Sequence, residues 1–339
     1  MKKTTYKFSN SSVDYYFDNS FSNLKNIADK KTSIVITDEN VFHDHQNKFQ
    51  GWKTIVVKAG EKYKVQFTAD LIISQLIQLE ADRKTTLIGV GGGVITDLVG
   101  YVASVYLRGI NFGFVPTSLL AMVDASIGGK NGIDVAIYKN LVGSIRQPSF
   151  LLYDTSFLKT LPDDEWENGF AEIIKHASIK DASMFKELET NSIETYQKNK
   201  RLLADLVKRN AILKTKVVQK DEFEKGDRKL LNFGHTIGHA LENLNQLSHG
   251  RAISIGMTHA SIISEKLVDF KDAKRITKLL LQYDLPTFTD FDKQKVFEIL
   301  KMDKKRERKE INFVLLQKIG KARIKTIPLK QLEKIIREL

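Results

Sequence analysis

The histidines are the residues whose type and spacing most clearly suggest chemistry. Four of the seven in the chain lie between residues 235 and 259. His235 and His239 are four residues apart and so share one face of a helix, and His249 follows after a short loop. Because the chain has no cysteine, a zinc-type site must use imidazole and carboxylate ligands and leave one position open for substrate. The spacing favours a metal or acid–base site over packed core histidines, with His235, His239 and Glu242 as first candidates.

A second feature is the glycine cluster GVGGGVITDLVG, residues 89–100, which follows an apolar run and precedes a helical pattern. Backbone amides at such a helix amino terminus can bind a diphosphate. The cluster departs from the GxGxxG pattern because Val94 occupies the place of the last glycine. Nucleotide binding and a simple tight turn are therefore both open at this point.

Two further glycine-rich segments carry lysines. VDASIGGKNGID, residues 123–134, contains Lys130, and KNLVG, residues 139–143, begins with Lys139. Ammonium groups in such polar loops suit phosphate or carboxylate groups of a ligand. A solvated loop without a ligand is the alternative interpretation.

Further polar residues precede the histidine segment in the sequence. In GFAEIIKHA, Glu172 and Lys175 are three residues apart on a helix face, which by itself indicates an ordinary surface ion pair. Lys214, Arg228 and Asn232 add cationic and amide groups nearby in the sequence.

Short β-branched runs alternate with helical patterns in the first half of the chain. The predicted strands are SIVIT (33–37), TIVVKAG (54–60), TTLIGVGGG (85–93), FGFVPTS (112–118) and SFLLYD (149–154), with a helix at 70–82. This alternation predicts a parallel sheet covered by helices on both faces.

After about residue 160 the pattern is almost entirely helical. The predicted helices lie near 163–190, 193–220, 235–247, 251–269 and 272–284, and the runs at 311–316 and 323–327 indicate a late hairpin before a final helix. We therefore predict a multidomain fold of α/β plus all-α type. A Rossmann-like parallel-sheet domain covers residues 1–158, and a mainly helical domain covers residues 159–339.

The composition is that of a globular protein long enough for two domains, with 339 residues, 42% hydrophobic and 28% charged. The net charge of +12 raises nucleic-acid binding as a function, but no such motif is present, and the basic stretch KMDKKRERKE (301–310) also holds three acidic residues. A small anionic substrate accounts for the cations equally well. No secretory apolar region and no membrane-length apolar run is visible. We expect a cytoplasmic protein that binds neither nucleic acid nor membranes.

Taken together and in this order, these segments resemble one family, the 3-dehydroquinate synthases of the shikimate pathway. The matching strings run from about residue 59 to 305: AGEKYK, GGGVITDLVGYVA, RGINFGFVPTSLLAMVDASIGGKNG, KNLVG, LKTLPDDE, GFAEIIKH, DEFEKGDRKLLNFGHTIGHALE, HGRAISIGM and DKK. The resemblance is specific because it covers most of the chain and not the glycine cluster alone.

The resemblance implies a lyase that converts DAHP (3-deoxy-D-arabino-heptulosonate 7-phosphate) to 3-dehydroquinate and inorganic phosphate. In this family NAD oxidises the C5 hydroxyl, phosphate is eliminated, NADH returns the hydride, and the opened enol closes by an intramolecular aldol reaction. A ketone at C5 acidifies the neighbouring C6 proton and so permits elimination, and the cofactor is regenerated in each turnover. A divalent metal, zinc or cobalt, on the substrate hydroxyls favours the alkoxide that gives up hydride.

By matched position, the resemblance also implies residue roles. The metal ligands are Glu172, His235 and His249, which replaces the choice made from spacing alone. The cofactor contacts are Asp38, Asn40, Glu61, Lys64, Gly92, Gly93, Val94, Asp97, Thr117, Ser118, Lys139, Phe157 and Thr160. The substrate groups are Asp124, Lys130, Asn140, Lys175, Lys214, Arg228, Asn232, His239 and Lys304, the last adjoining Lys305. Arg108 matches an arginine that reaches a neighbouring subunit's phosphate site, so the resemblance implies a homodimer.

The chain departs from the family pattern at four positions without losing a ligand or substrate group. Asp164 stands in place of Arg, Ser118 of Thr, Asp134 of Asn, and Arg251 of Glu. Two rival functions share the fold: another sugar-phosphate cyclase, and an NAD- and metal-dependent polyol dehydrogenase that consumes NAD. The combination of Asn140, Lys214, Arg228 and His239 favours the dehydroquinate branch.

Overall fold

The computed structural model describes residues 2–136, 138–245, 247–302, 306–307 and 310–338. The chain forms two compact units. The first comprises Met1–Glu165 and Asn199–Phe223, and the second comprises Trp166–Lys198 and Glu224–Leu339. The boundaries of these units differ from those of the predicted domains, residues 1–158 and 159–339. The division into those two domains stays a prediction.

Strands dominate the first part of the chain and helices the rest. The described strands are β1 (Thr4–Lys7), β2 (Ser12–Tyr16), β3 (Ser33–Asp38), β4 (Lys53–Val57), β5 (Thr86–Gly91), β6 (Asn111–Pro116), β7 (Lys130–Val135), β8 (Tyr138–Ile145), β9 (Phe150–Leu152), β10 (Arg306–Glu307), β11 (Glu310–Lys318) and β12 (Lys321–Pro328). The described α-helices are α1 (Glu39–Asp44), α2 (Gln66–Gln78), α3 (Gly93–Val105), α4 (Asp163–Lys180), α5 (Ala182–Glu189), α6 (Ile193–Lys198), α7 (Lys200–Lys220), α8 (His235–Asn245), α9 (His249–Val268), α10 (Ala273–Gln282), α11 (Lys293–Met302) and α12 (Leu329–Arg337).

The first unit is built on a seven-stranded sheet in the order β1–β2–β9–β6–β5–β3–β4. β1 pairs antiparallel with β2, and the other neighbours in the sheet are parallel. The central strands β3, β5 and β6 are almost completely buried, as apolar runs in a sheet covered on both faces must be. The predicted parallel sheet is confirmed, whereas the antiparallel edge strand β1 was not predicted.

The carboxyl ends of three neighbouring strands lie at one edge of this sheet. The register places the end of β3 beside that of β5, and the end of β5 beside that of β6. Asp38, Gly92 and Thr117 stand at these three ends. In open α/β sheets this edge, at the point where the strand order reverses, is the usual place for a ligand.

The glycine-rich segments that carry Lys130 and Lys139 form an antiparallel hairpin of β7 and β8. Gly132 pairs with Gly143, and a Cβ atom on Gly143 would lie 2.1 Å from the carbonyl oxygen of Asn131. The strands can approach so closely only because glycine lacks a side chain. The expectation of two polar loops was therefore wrong, since glycine here serves close strand packing.

The second unit is mainly helical and includes an antiparallel sheet of β10, β11 and β12. Its apolar core joins this sheet to α8, α9, α11 and α12. The predicted late hairpin and final helix are confirmed as β11, β12 and α12.

Two of the predicted long helices are each divided in the structure. The stretch 163–190 consists of α4 and α5, because the Asp181 side chain accepts the Met184 N–H and starts a new helix. Asn199 likewise accepts the Leu202 N–H and starts α7 after α6. Among the described residues, no helix combines the length and apolar character needed to cross a membrane.

Candidate metal and cofactor sites

Three helices of the second unit bring together one carboxylate and two imidazoles. Glu172 lies on α4, His235 begins α8 and His249 begins α9. The Glu172 Oε1 atom is 3.2 Å from His249 Nε2 and 3.7 Å from His235 Nε2. One ligand atom from each residue lies within 4.8 Å of the others. This donor set suits a zinc- or cobalt-type ion with a coordination position left for substrate.

The second nitrogen of each imidazole has its own partner. His235 Nδ1 is 3.2 Å from the carbonyl oxygen of Phe233, and His249 Nδ1 is 3.8 Å from Glu242 Oε1. Such partners orient a metal-ligating ring and fix which nitrogen faces the ion. Glu242, which the spacing alone nominated as a ligand, is placed behind His249 instead.

Close backbone contacts hold these helices together. A Cβ atom on Gly256 of α9 would lie 2.0 Å from the Gly234 carbonyl oxygen, so only glycine allows this approach between α9 and the start of α8. The Asn168 Oδ1 atom on α4 accepts the Gly250 N–H at 2.8 Å and ties the start of α9 to α4. The three helix segments that carry the ligands are thus fixed by packing rather than by the ligands alone.

The electrostatics of the cluster differ between its two histidines. Burial, with the positive charge of Lys175, holds the pKa of His235 well below its usual value, so the ring is neutral as a metal ligand requires. Burial also lowers the pKa of His249, but its interactions with the carboxylates of Glu172 and Glu242 outweigh burial and raise that pKa to about 9. In the absence of a cation, a proton on His249 partly balances the carboxylates.

Glu172 and Lys175 form a buried ion pair, not the surface pair that their spacing indicates. Glu172 is 0% exposed and Lys175 is 1% exposed. Charged side chains are rarely buried to this degree without a functional or structural partner. These two residues are buried because of the way α4 packs in the folded protein. Their spacing in the sequence does not indicate this burial.

Other predicted substrate residues of the second unit lie on the same segments. The His239 ring is exposed and its centroid is 5.0 Å from that of His235. Arg228 is buried, and the Asn232 amide nitrogen donates to Glu224 Oε1 at 2.7 Å. Lys304 lies outside the described residues, so its predicted role has no structural counterpart here.

In the first unit, the sheet edge carries several of the predicted cofactor residues. The Asp38 carboxylate accepts the N–H groups of Asn40 and Val41, each at 3.0 Å, and burial raises its pKa. Gly92 precedes the first turn of α3, which has no side-chain cap, so its N–H groups suit an anion. The Thr117 N–H donates to the Gly91 carbonyl oxygen at 3.0 Å. Gly93, Val94 and Ser118 adjoin these residues along the chain.

A buried lysine lies beside this edge. Lys64 Nζ forms an ion pair with Asp97, donates to Asn140 Oδ1 at 2.6 Å, and is 4.0 Å from Glu61 Oε1. Burial opposes the charge of Lys64, but the carboxylates of Asp97 and Glu61 outweigh it and raise the lysine pKa. Lys64 is therefore a cation held in place by three neighbours. The resemblance assigns Lys64 and all three of these neighbours to cofactor or substrate binding.

His45 is a residue of this unit that sequence reasoning missed. Its Nε2 atom is 3.0 Å from Thr160 Oγ1, and its ring meets Phe157 edge-on with centroids 4.7 Å apart. It therefore contacts two predicted cofactor residues, although nothing in its sequence context indicates this.

Two of the predicted substrate residues of the first unit form an ion pair with each other. Lys214 Nζ lies 2.9 Å from Asp124 Oδ1. Arg108 lies in a turn with a φ of 67°, and its role at a neighbouring subunit stays a prediction.

Each of the four departures from the family pattern has a distinct local environment. Asp164 lies in the first turn of α4, where a negative charge favours the helix dipole. Arg251 donates from Nε to Glu167 Oε2 at 3.1 Å, and Ser118 Oγ accepts the Ala121 N–H at 3.2 Å. Asp134 accepts the Asn140 N–H.

Solved structures with the same fold define the class. One is 2-deoxy-scyllo-inosose synthase complexed with carbaglucose-6-phosphate, NAD⁺ and Co²⁺, with a TM-score of 0.86, 24% identity, and coverage of 99% of this chain and 100% of that chain. Another is 2-epi-5-epi-valiolone synthase from Streptomyces hygroscopicus with NAD⁺ and Zn²⁺ bound, with a TM-score of 0.86, 24% identity, and coverage of 100% and 99%. The fold is thus that of the dehydroquinate synthase-like cyclases, as predicted.

Sequence comparison narrows this class to one family. Family models described as 3-dehydroquinate synthase N-terminal and C-terminal match residues 54–168 and 169–306. The 3-dehydroquinate synthase of Campylobacter curvus is 39% identical over 337 residues, which cover 96% of each chain. The chain belongs to the 3-dehydroquinate synthase family.

Proposed function

We propose that the protein is a 3-dehydroquinate synthase that converts DAHP to 3-dehydroquinate and inorganic phosphate. The observation that carries the proposal is the Glu172, His235 and His249 cluster in a chain of this family. Two imidazoles and one carboxylate, each imidazole with a partner on its second nitrogen, fit a zinc- or cobalt-type ion.

The reaction requires two bound groups besides the chain's own residues, NAD and a divalent metal ion. When bound, NAD supplies a reversible hydride acceptor and the divalent ion supplies polarisation of a substrate hydroxyl. The residues proposed to hold NAD share the first unit, and those proposed to hold the ion share the second. The proposed cofactor contacts are Asp38, Asn40, Glu61, Lys64, Gly92, Gly93, Val94, Asp97, Thr117, Ser118, Lys139, Phe157 and Thr160.

The proposed role of the chain's cations is to bind the carboxylate and phosphate of the substrate. Lys175, which is paired with Glu172, and Arg228 are both buried, so water weakens their interactions with an anion less than it would at the surface. Lys214 is also nearly buried and holds Asp124, which orders both side chains before substrate arrives. The other proposed substrate residues are Lys130, Asn140, Asn232, His239 and Lys304.

We further propose a homodimer in which Arg108 serves the phosphate site of the neighbouring subunit. Arg108 follows Leu107, and both residues have positive φ angles of 67° and 48°. Leu107 and Val105 beside it are 42% and 48% exposed. An apolar surface next to a predicted intersubunit arginine supports contact with a second copy.

Phosphate release from DAHP with trace NAD tests the reaction. We expect many equivalents of phosphate and 3-dehydroquinate for each NAD, with no net NADH absorbance, because the hydride returns to the product. NADH that accumulates in step with product would instead identify a polyol dehydrogenase. Turnover of another sugar phosphate with no turnover of DAHP would identify a different cyclase on the same fold.

A further inference from the structure

Asp134, near the end of β7, contacts two other segments of the first unit. Its own N–H donates to the Lys64 carbonyl oxygen at 2.8 Å, and a parallel bridge joins it to Val65. Its Oδ1 atom accepts the N–H of Asn140 at 2.7 Å. The residue therefore holds the end of β7, the start of β8 and the segment before α2 in one arrangement.

The Asn140 backbone has a left-handed conformation. Its φ of 51° lies in a region that residues with a Cβ atom rarely adopt, although asparagine does so more readily than most. The carboxylate of Asp134 gives a charge-assisted hydrogen bond to the N–H of that same residue. The contact with Asp134 thus adds to the tolerance that asparagine itself has for this conformation.

The Asn140 side chain is oriented by a second contact. Lys64 Nζ donates to Asn140 Oδ1 at 2.6 Å. An ammonium group only donates hydrogen bonds, so the amide oxygen of Asn140 must face Lys64 and the amide NH₂ must point elsewhere. Lys64 cannot move away easily, because it is buried and paired with Asp97.

We propose that Asp134 is a positioning residue that holds Asn140 so that its amide NH₂ is presented as a donor to an oxygen of the substrate. This assignment rests on the proposed function, in which Asn140 binds DAHP. The ligand group that it selects is an acceptor, namely a hydroxyl, carboxylate or phosphate oxygen. Asp134 itself contacts the Asn140 N–H and the Lys64 carbonyl oxygen.

Replacing the carboxylate tests the assignment. In Asp134→Ala the Asn140 N–H loses its acceptor, so we expect the KM for DAHP to rise about tenfold while kcat changes less than threefold, in line with the loss of one hydrogen bond to a charged group. Asp134→Asn retains an oxygen at the same position, and its KM should stay within about threefold of the wild-type value. If Asp134→Ala cannot be purified in folded form, Asp134→Ser provides the same loss of the carboxylate.

The matched control is Asp82→Ala. The Asp82 carboxylate also accepts a backbone N–H, that of Lys84 at 2.9 Å, but in a turn that carries no predicted site residue. This variant should keep the wild-type KM. An equal rise of KM in Asp82→Ala, or a wild-type KM in Asp134→Ala, would overturn the proposal.

Hydrogen exchange of the Asn140 amide separates this proposal from the proposed function. Exchange should be slow in the wild type and in Asp134→Asn, and at least tenfold faster in Asp134→Ala. If the wild type releases no phosphate from DAHP, the proposed function fails, whereas this exchange pattern still supports the Asp134–Asn140 contact. Equal exchange rates in the three proteins contradict the contact whatever the activity.

Discussion

Glu242 lies 3.8 Å from Nδ1 of His249, while the other ring nitrogen of the same histidine lies 3.2 Å from Glu172. The imidazole is thus held between two carboxylates that have different places around the proposed metal. One is a candidate ligand, and the other orients the ring from behind. A carboxylate behind a ligating histidine also makes the ring a stronger base.

Glu242→Gln should therefore weaken metal binding without removing a ligand. We expect the affinity for zinc to fall by about 10- to 100-fold, the range typical for loss of such a partner. Competition with a chromophoric chelator measures it. Glu265→Gln, an exposed change on α9, is the matched control and should leave the affinity unchanged. Equal zinc affinity in Glu242→Gln and the wild type would contradict the orienting role.

Removal of the metal should abolish the reaction reversibly. Treatment with a chelator should remove one ion per chain and stop phosphate release from DAHP, because the substrate hydroxyl is no longer polarised. Zinc or cobalt should restore activity, and magnesium should not, since two of the three proposed ligands are imidazoles. Full turnover by metal-free protein would refute the role of Glu172, His235 and His249.

Lys64 and Asp97 should contribute to stability as a pair. Lys64→Met leaves the Asp97 carboxylate largely buried without its cation, so we expect the free energy of unfolding to fall by about 3 kcal/mol. The double variant Lys64→Met/Asp97→Leu should recover most of this loss, because no unpaired charge is left. Urea denaturation measures both. Lys58→Met breaks an exposed pair with Glu39 and serves as the control with little effect. An unrecovered loss in the double variant would show that the pair is not the cause.

His259 should make the protein sensitive to acid. Burial, with the charge of Lys293, lowers its pKa from 6.5 to about 4, and neither ring nitrogen has a hydrogen-bond partner among the described residues. As pH falls, His259 therefore binds a proton near pH 6.5 in the unfolded chain but only near pH 4 in the folded protein. Stability should fall as pH drops through this window, by about 3 kcal/mol from this residue.

The variant His259→Leu isolates this contribution. Its unfolding free energy should change less than that of the wild type between pH 6.5 and 4, as measured by denaturation at a series of pH values. His43→Gln removes an exposed histidine and should retain the wild-type pH dependence. Identical pH profiles for His259→Leu and the wild type would rule out His259 as the source.

Mixed dimers test whether Arg108 acts on the neighbouring subunit. Arg108→Ala and Lys175→Ala homodimers should each be nearly inactive, because a phosphate loses a charge-assisted contact in every site. Random reassembly of the two makes about half of the dimers mixed, each with one intact site, so roughly a quarter of the wild-type activity should return. Confirmed mixed dimers without activity would show that Arg108 does not act in trans.

Much of the candidate site could be anticipated from the sequence because its residues lie in short local patterns. The glycine cluster at 89–100 is placed correctly between a strand and a helix by local periodicity. The choice of His249 and Glu172 as metal residues came from the family resemblance, since spacing alone preferred His239 and Glu242. Helical spacing shows which side chains share a face, but it does not show which face meets a second helix.

The sequence by itself determined the order and type of most elements, the parallel sheet and the family, because local apolar periodicity and motif identity need no knowledge of long-range contacts. Only the tertiary structure decided that Glu172 and Lys175 are buried, that Glu242 stands behind His249, and that the lysine-bearing segments pair as a hairpin. These features depend on which distant segments pack together. Burial and close approach are properties of that packing and are not encoded in the spacing along one segment.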